Sequence, residues 1–155
     1  MKASETDFRF PVLGLVPHPD LGEFGHVFYD LDDLTICDAN TLKGGAPERL
    51  DLIDAEGRRW AVRSVVRVGR AGGFLPWVLG ALVGWNRYRL DYELEAAQPV
   101  TLDYVKDRVG AVEQVFGNLD DYTEEHEAET ADRLAKIRRA KTISRVAKLT
   151  EWGGF

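Results

Sequence analysis

Residues 87–95 alternate without a break, and this constrains the fold more than any other feature of the chain. Tyr88, Leu90, Tyr92 and Leu94 point one way; Arg87, Arg89, Asp91, Glu93 and Glu95 point the other. Side chains on a strand alternate between its faces, so the segment predicts a strand with one buried side and one wet side. Upstream, residues 49–54 and 58–69 read as two more strands. Ala55, Glu56 and Gly57 join them, and the glycine supplies the positive φ that a tight hairpin needs.

The chain before this block is also largely extended in pattern. Residues 8–16 are apolar with Pro11 inside, and proline cannot donate to a ladder, so this strand is expected at a sheet edge or with an irregular start. Residues 17–22 form a proline and glycine loop, and residues 24–29 a second short strand. Residues 30–33 are an acidic turn, and residues 34–37 are expected to be extended. Asp38 can cap a single helical turn that Gly44 and Gly45 stop.

Between the strands lies an apolar insert, residues 71–86. A membrane span needs about 20 such residues; this stretch is shorter and carries Pro76 and four glycines. One reading is a buried crossover with a short helix around residues 77–83. The other is an exposed patch with Phe74, Trp77 and Trp85 as anchors, because aromatic side chains dominate interface hot spots.

After residue 100 the period becomes helical. Thr101 can cap a helix with Leu102, Val105, Val109, Val112 and Phe116 on one face, and Gly117 is its expected stop. A second helical stretch follows, acid-rich from Asp120 to Glu129 and basic from Arg133 to Lys148. Acid early and base late suits the helix dipole. Thr142 either caps a break between two helices or sits within one. Each helix carries an apolar stripe that must be buried, and the alternating sheet face is where it is expected to dock.

Strands first and helices after them predict an α+β fold. The expectation is an antiparallel β-sheet in the N-terminal two-thirds, open to strong curvature or barrel-like closure, packed by two or three C-terminal helices. With 155 residues, one domain over 1–155 is expected: mainly β to residue 100 and mainly α from residue 101.

Net charge is -6, which argues against a general nucleic-acid binder. The basic run is offset by the acidic run before it and reads as a solvated, ion-paired face. The single cysteine, Cys37, allows no intrachain disulfide, and residues 1–7 lack the apolar core of a signal peptide, so a cytoplasmic setting is expected. Negative net charge disfavours attachment to anionic lipid through residues 74–85, so no membrane partner is expected.

Catalytic constellations are not evident. His18, His26 and His126 lack a metal-binding or catalytic spacing, and Cys37 has no flanking oxyanion-hole pattern. Gly69 to Gly73 lacks the ending of a phosphate loop. Asp30, Asp32, Asp33 and Asp38 form the densest acidic cluster of the β region, open to solvation, to partner binding, or to metal binding and catalysis. No metal and no cofactor are expected.

Residues 28–35 with Cys37, the hairpin at 50–59 and the late helix around 140–144 together resemble the small immunity proteins that neutralise bacterial polymorphic toxins. The resemblance implies a non-enzymatic protein-binding domain whose carboxylates oppose a basic toxin surface. Asp30, Asp32, Asp33, Asp38, Phe74, Trp77 and Trp85 are then the expected contacts. The alternative is a small-ligand binder or hydrolase with an acidic pocket around 30–38, using Asp30, Asp32, Asp33 and His26 with Tyr88 or Tyr92.

Overall fold

A computed structural model describes residues 1–18, 22–72, 86–119, 124–150 and 152. The described strands are β1 (Val12–His18), β2 (Gly22–Phe28), β3 (Ile36–Asp38), β4 (Asp51–Ile53), β5 (Arg58–Arg70), β6 (Arg87–Leu94) and β7 (Gln98–Pro99). Two short helices, α1 (Leu31–Thr35) and α2 (Ala39–Lys43), flank β3. Three helices follow the strands: α3 (Leu102–Leu119), α4 (Glu124–Arg139) and α5 (Ile143–Leu149). The strands form one curled antiparallel sheet in the order β2-β1-β4-β5-β6-β3, with β7 paired to β5.

The β4–β5 hairpin and the β6 strand fold as their patterns predict, while the readings of residues 73–85 in the apolar insert lie outside the described residues. Gly57 turns the β4–β5 hairpin at φ +78, and its carbonyl accepts the Val100 amide at 2.8 Å. A Cβ there would stand 2.8 Å from the Val100 carbonyl oxygen, so close approach as well as positive φ calls for glycine. β5 is long and irregular, with register shifts between Val62 and Ser64 and between Arg67 and Gly69. Bulges bend a strand and raise its twist, so β5 carries the sheet around a corner. Its first part pairs with β4 and its second with β6.

That corner gives the sheet two apolar sides. Inside the curl, Val12, Val16, Phe28, Leu52 and Trp60 meet Leu90, Tyr92 and Leu94 of β6. On the opposite side, Leu13, Leu15, Val27 and Ile53 pack against Val105, Val109 and Val112 of α3 and Ile143 and Val146 of α5. Full burial of each such aliphatic side chain is worth about 1.5–3 kcal/mol.

The sequence pattern places the helices on the alternating face of β6, and here the structure differs. The β6 stripe lies inside the curl, and the helices cover β1, β2 and β4 instead. The reason lies in β1: Val12, Leu13, Leu15 and Val16 are all buried, so that strand has two apolar faces to cover. β1 also lies between β2 and β4, not at an edge; the irregular start before Val12 is enough to accommodate Pro11.

Local differences have local causes. Leu34 and Thr35 close α1 where an extended segment is expected, because the Asp30 cap starts a helical turn that buries Leu34. Gly117 lies within α3, which runs on to Leu119. At 140–142 the chain does break, and the Thr142 hydroxyl accepts the Arg145 amide at 3.1 Å to start α5. Beyond α5, the Trp152 ring sits against Gly25 of β2, filling the space a Cβ would need.

Candidate functional site

The helices stop short of half the sheet. Their apolar contacts are with β1, β2 and β4, whereas the outer side of β5 and β6 carries polar or exposed side chains. Val66 pairs with Asp91 and Ser64 with Glu93 across this side. Val66 is 51% exposed and Val68 61% exposed. They line a shallow hollow of about 70 Å³ with Lys2, Asp91 and Glu93.

Two other segments border this face. The N-terminal residues run beside β6: Lys2 bridges to Glu93, and the Leu94 amide donates to the Met1 carbonyl at 2.7 Å. The Ser4 amide and hydroxyl donate to Asp91 at 3.2 and 3.0 Å. On the β3 side, Arg89 of β6 donates to Asp32 of α1 at 2.8 Å, which ties α1 to the outer side of the sheet. Tyr29 and Leu31 at the start of α1 are exposed. Among the described residues the exposed large apolar side chains are Met1, Tyr29, Leu31, Val66 and Val68, and all belong to these neighbours of β6.

The acidic cluster is divided by the fold. The Asp33 amide donates to Asp30 at 2.8 Å and the Tyr29 amide to Asp33 at 3.2 Å, a reciprocal cap that starts α1. Asp30, Asp32 and Asp33 remain exposed. Asp38 is half-buried and caps α2, accepting from the Asn40 amide at 2.7 Å and the Thr41 amide at 2.9 Å. The Thr41 amide is the main force holding its carboxyl below the usual range, partly opposed by burial. So Asp38 builds the scaffold, while the other three edge the open face. Phe74, Trp77 and Trp85 lie outside the described residues.

Signals for this face exist in the sequence. Val65 and Val66 are consecutive, so one of them must point away from the inner core; Val68 then continues the outward side. Asp91 and Glu93 already stand on the wet side of β6 in the pattern. What the pattern lacks is any indication that the helices leave this side uncovered.

The side chains expected around an acidic pocket have other environments. The Tyr92 hydroxyl is buried and donates to the Leu34 carbonyl at 2.9 Å. Arg67 stacks on Tyr88 at 3.7 Å, and His26 stacks on Phe28 at 6.1 Å. Cys37 is buried, and its thiol is pushed up to about 11, first by burial and then by Asp38, against the pull of Arg87. That is the opposite of an activated nucleophile. Among the described residues, no three His, Cys, Asp or Glu side chains are placed to hold a metal ion, and no helix is long and apolar enough to cross a membrane.

A buried charge network holds the helices to the sheet. Arg108 of α3 pairs with Glu23 of β2 and Asp51 of β4, and donates to the Tyr104 hydroxyl at 2.9 Å. Arg59 holds the same Asp51 at 2.7 and 2.9 Å. Burial pulls the Arg108 guanidinium down, but the two carboxylates more than reverse this, so it stays above its ordinary value. All charges here face partners, which marks the network as structural.

No family model, no curated protein and no solved structure matches the chain.

Proposed function

We propose that the chain is a non-enzymatic protein-binding domain, and that the outer side of β5 and β6 with α1 is its binding face. The observation that carries this is the pairing of exposed aliphatics with carboxylates: Val66, Val68 and Leu31 stand among Asp30, Asp33, Asp91 and Glu93. Exposed apolar groups rimmed by charge suit a protein partner. Asp30, Asp33, Asp91 and Glu93 suit basic groups on a partner, while Lys2, Arg87 and Arg89 on the same side suit carboxylates, and complementary charge speeds encounter and fixes orientation. A basic toxin domain neutralised by an immunity-type protein fits that chemistry. Phe74, Trp77 and Trp85 fall between β5 and β6 in the sequence but outside the described residues, and they stay in the proposed contact set on their residue type alone.

The test is affinity capture from the native host with wild type and with the V66R/V68R variant, each followed by native mass spectrometry. Wild type is expected to retain a basic protein that the variant loses, while the variant keeps wild-type stability within about 0.5 kcal/mol because both sites are exposed. Retention of the same partner by both proteins would place the interface elsewhere. A bound metabolite with no protein partner would favour a ligand-binding protein.

A further inference from the structure

The basic end of the C-terminal helices carries a second site with the opposite chemistry. Between α4 and α5 lies a groove of about 470 Å³ lined by Lys136, Arg139, Lys141, Thr142 and Arg145, with Ala140 and Leu149 at its base. Among the described residues no carboxylate lines it. The sequence predicts an ion-paired face here, and the structure bears that out only at its margin. Lys136 pairs with Asp132, and Arg133 with Glu113. Arg139, Lys141 and Arg145 are exposed and pair with no carboxylate among the described residues. Residues 133–150 contain no acidic residue, in a chain whose net charge is -6. Clustered like charges repel one another, and a bound anion relieves that repulsion.

We infer that this groove is a binding site for a compact diphosphate group. Four cations face the groove; with Lys136 held by Asp132 the uncompensated charge is three, which two phosphates at about −1.5 to −2 charge each come close to balancing. Arginine presents a planar fork that matches phosphate oxygens, and Arg139 and Arg145 place two such forks on opposite helices. The Thr142 hydroxyl accepts from the Arg145 amide and keeps its own proton for a ligand oxygen. Among the described residues no aromatic side chain lines the groove, so they offer no platform for stacking a base and recognise the phosphates alone.

The surroundings select a compact anion over a long one. The adjoining groove of about 540 Å³ shares Lys136 and Leu149 but adds Glu129 and Asp132. A polymer of phosphates leaving the basic site in that direction meets like charge. The rest of the chain is acidic and repels an extended polyanion further.

The experiment is calorimetry and amide NMR at low ionic strength, with inorganic pyrophosphate as the probe. Pyrophosphate is expected to bind, with shifts centred on residues 136–145. R139E and R145E are each expected to weaken binding by about tenfold or more, and R139K and R145K, which keep the charge but lose the fork, by a smaller factor. Both positions of substitution are exposed, and far-ultraviolet dichroism confirms that each variant is folded. The reversal R63E, on β5, is expected to leave binding unchanged. A nucleoside diphosphate that binds as pyrophosphate does identifies the phosphates as the shared determinant, whether free or esterified. Absence of pyrophosphate binding to the folded wild type would overturn the inference, as would binding that survives R139E/R145E. A single-stranded oligonucleotide that binds tightly without competition from pyrophosphate would overturn it in favour of a nucleic-acid surface.

Discussion

Replacing Arg108 by methionine removes the one cation that Glu23 and Asp51 share. The Arg108 side chain is 18% exposed, Glu23 24% and Asp51 10%. Breaking a fully buried ion pair by deleting one partner costs about 3–5 kcal/mol, because the other charge is left in a poor solvent. Two features reduce that figure here. Glu23 keeps partial access to water, and Asp51 retains Arg59 on both of its oxygens. Arg108→Met is therefore expected to destabilise the protein by about 2–3 kcal/mol, and to lower the melting temperature by about 5–10 °C. Urea denaturation at neutral pH measures the first quantity and calorimetry the second. A second substitution, Glu23→Leu, removes the carboxylate that Arg108→Met strands. The double variant is expected to be more stable than the sum of the two single effects by about 0.5–3 kcal/mol. A loss under about 0.5 kcal/mol for Arg108→Met, or strict additivity with Glu23→Leu, would refute the reasoning, since exposed and independent surface charges behave in that way.

The capping carboxylate of Asp38 predicts a pH dependence. Its folded-state pKa lies below the ordinary value, so its contribution is complete above about pH 4–5 and is lost as the pH falls through the depressed value. Asp38→Asn is expected to flatten the acid side of the stability profile measured by urea midpoints, and Asp38→Ala to cost about 1 kcal/mol at neutral pH. Gly25→Ala is expected to push the Trp152 ring off β2, destabilising the protein by about 1–3 kcal/mol and shifting an indole NMR resonance. In a Trp152→Ala background the same change is expected to be nearly neutral, within about 0.5 kcal/mol.

The elements were more legible in the sequence than their arrangement. The β4–β5 hairpin, the alternation of β6, the Asp38 and Thr142 caps and the stripe of α3 are all local patterns, and each appears where its pattern places it. The acidic residues 30–33 misled because a cap and a turn use the same residue types; only burial of Leu34 decides for a helical turn. The docking of the helices was not legible from β6 alone. It depends on which strand has a second apolar face, and that strand is β1, whose near-continuous apolar run carries the information. The basic groove was masked in the sequence by the acidic run before it. Along a helix, charges ten residues apart lie about 15 Å apart, too far to pair, so acid and base that cancel in the composition remain separate on the surface.

The same division of faces is why both proposed surfaces lie at the margins of this fold. Trp60, Tyr92 and Phe28 fill the inside of the curl, which among the described residues is a packed core. The helices close the second apolar side of β1, β2 and β4. Among the described residues two surfaces stand out: the outer side of β5 and β6, and the polar seam between α4 and α5. The first mixes both signs of charge and the second is basic, and they share no residue. Substitutions in one are therefore expected to leave the other intact, since distant sites without shared partners act independently. If V66R/V68R weakened pyrophosphate binding, or R139E/R145E weakened capture of a basic partner, a single interface spanning both ends would replace the two surfaces inferred from their geometry.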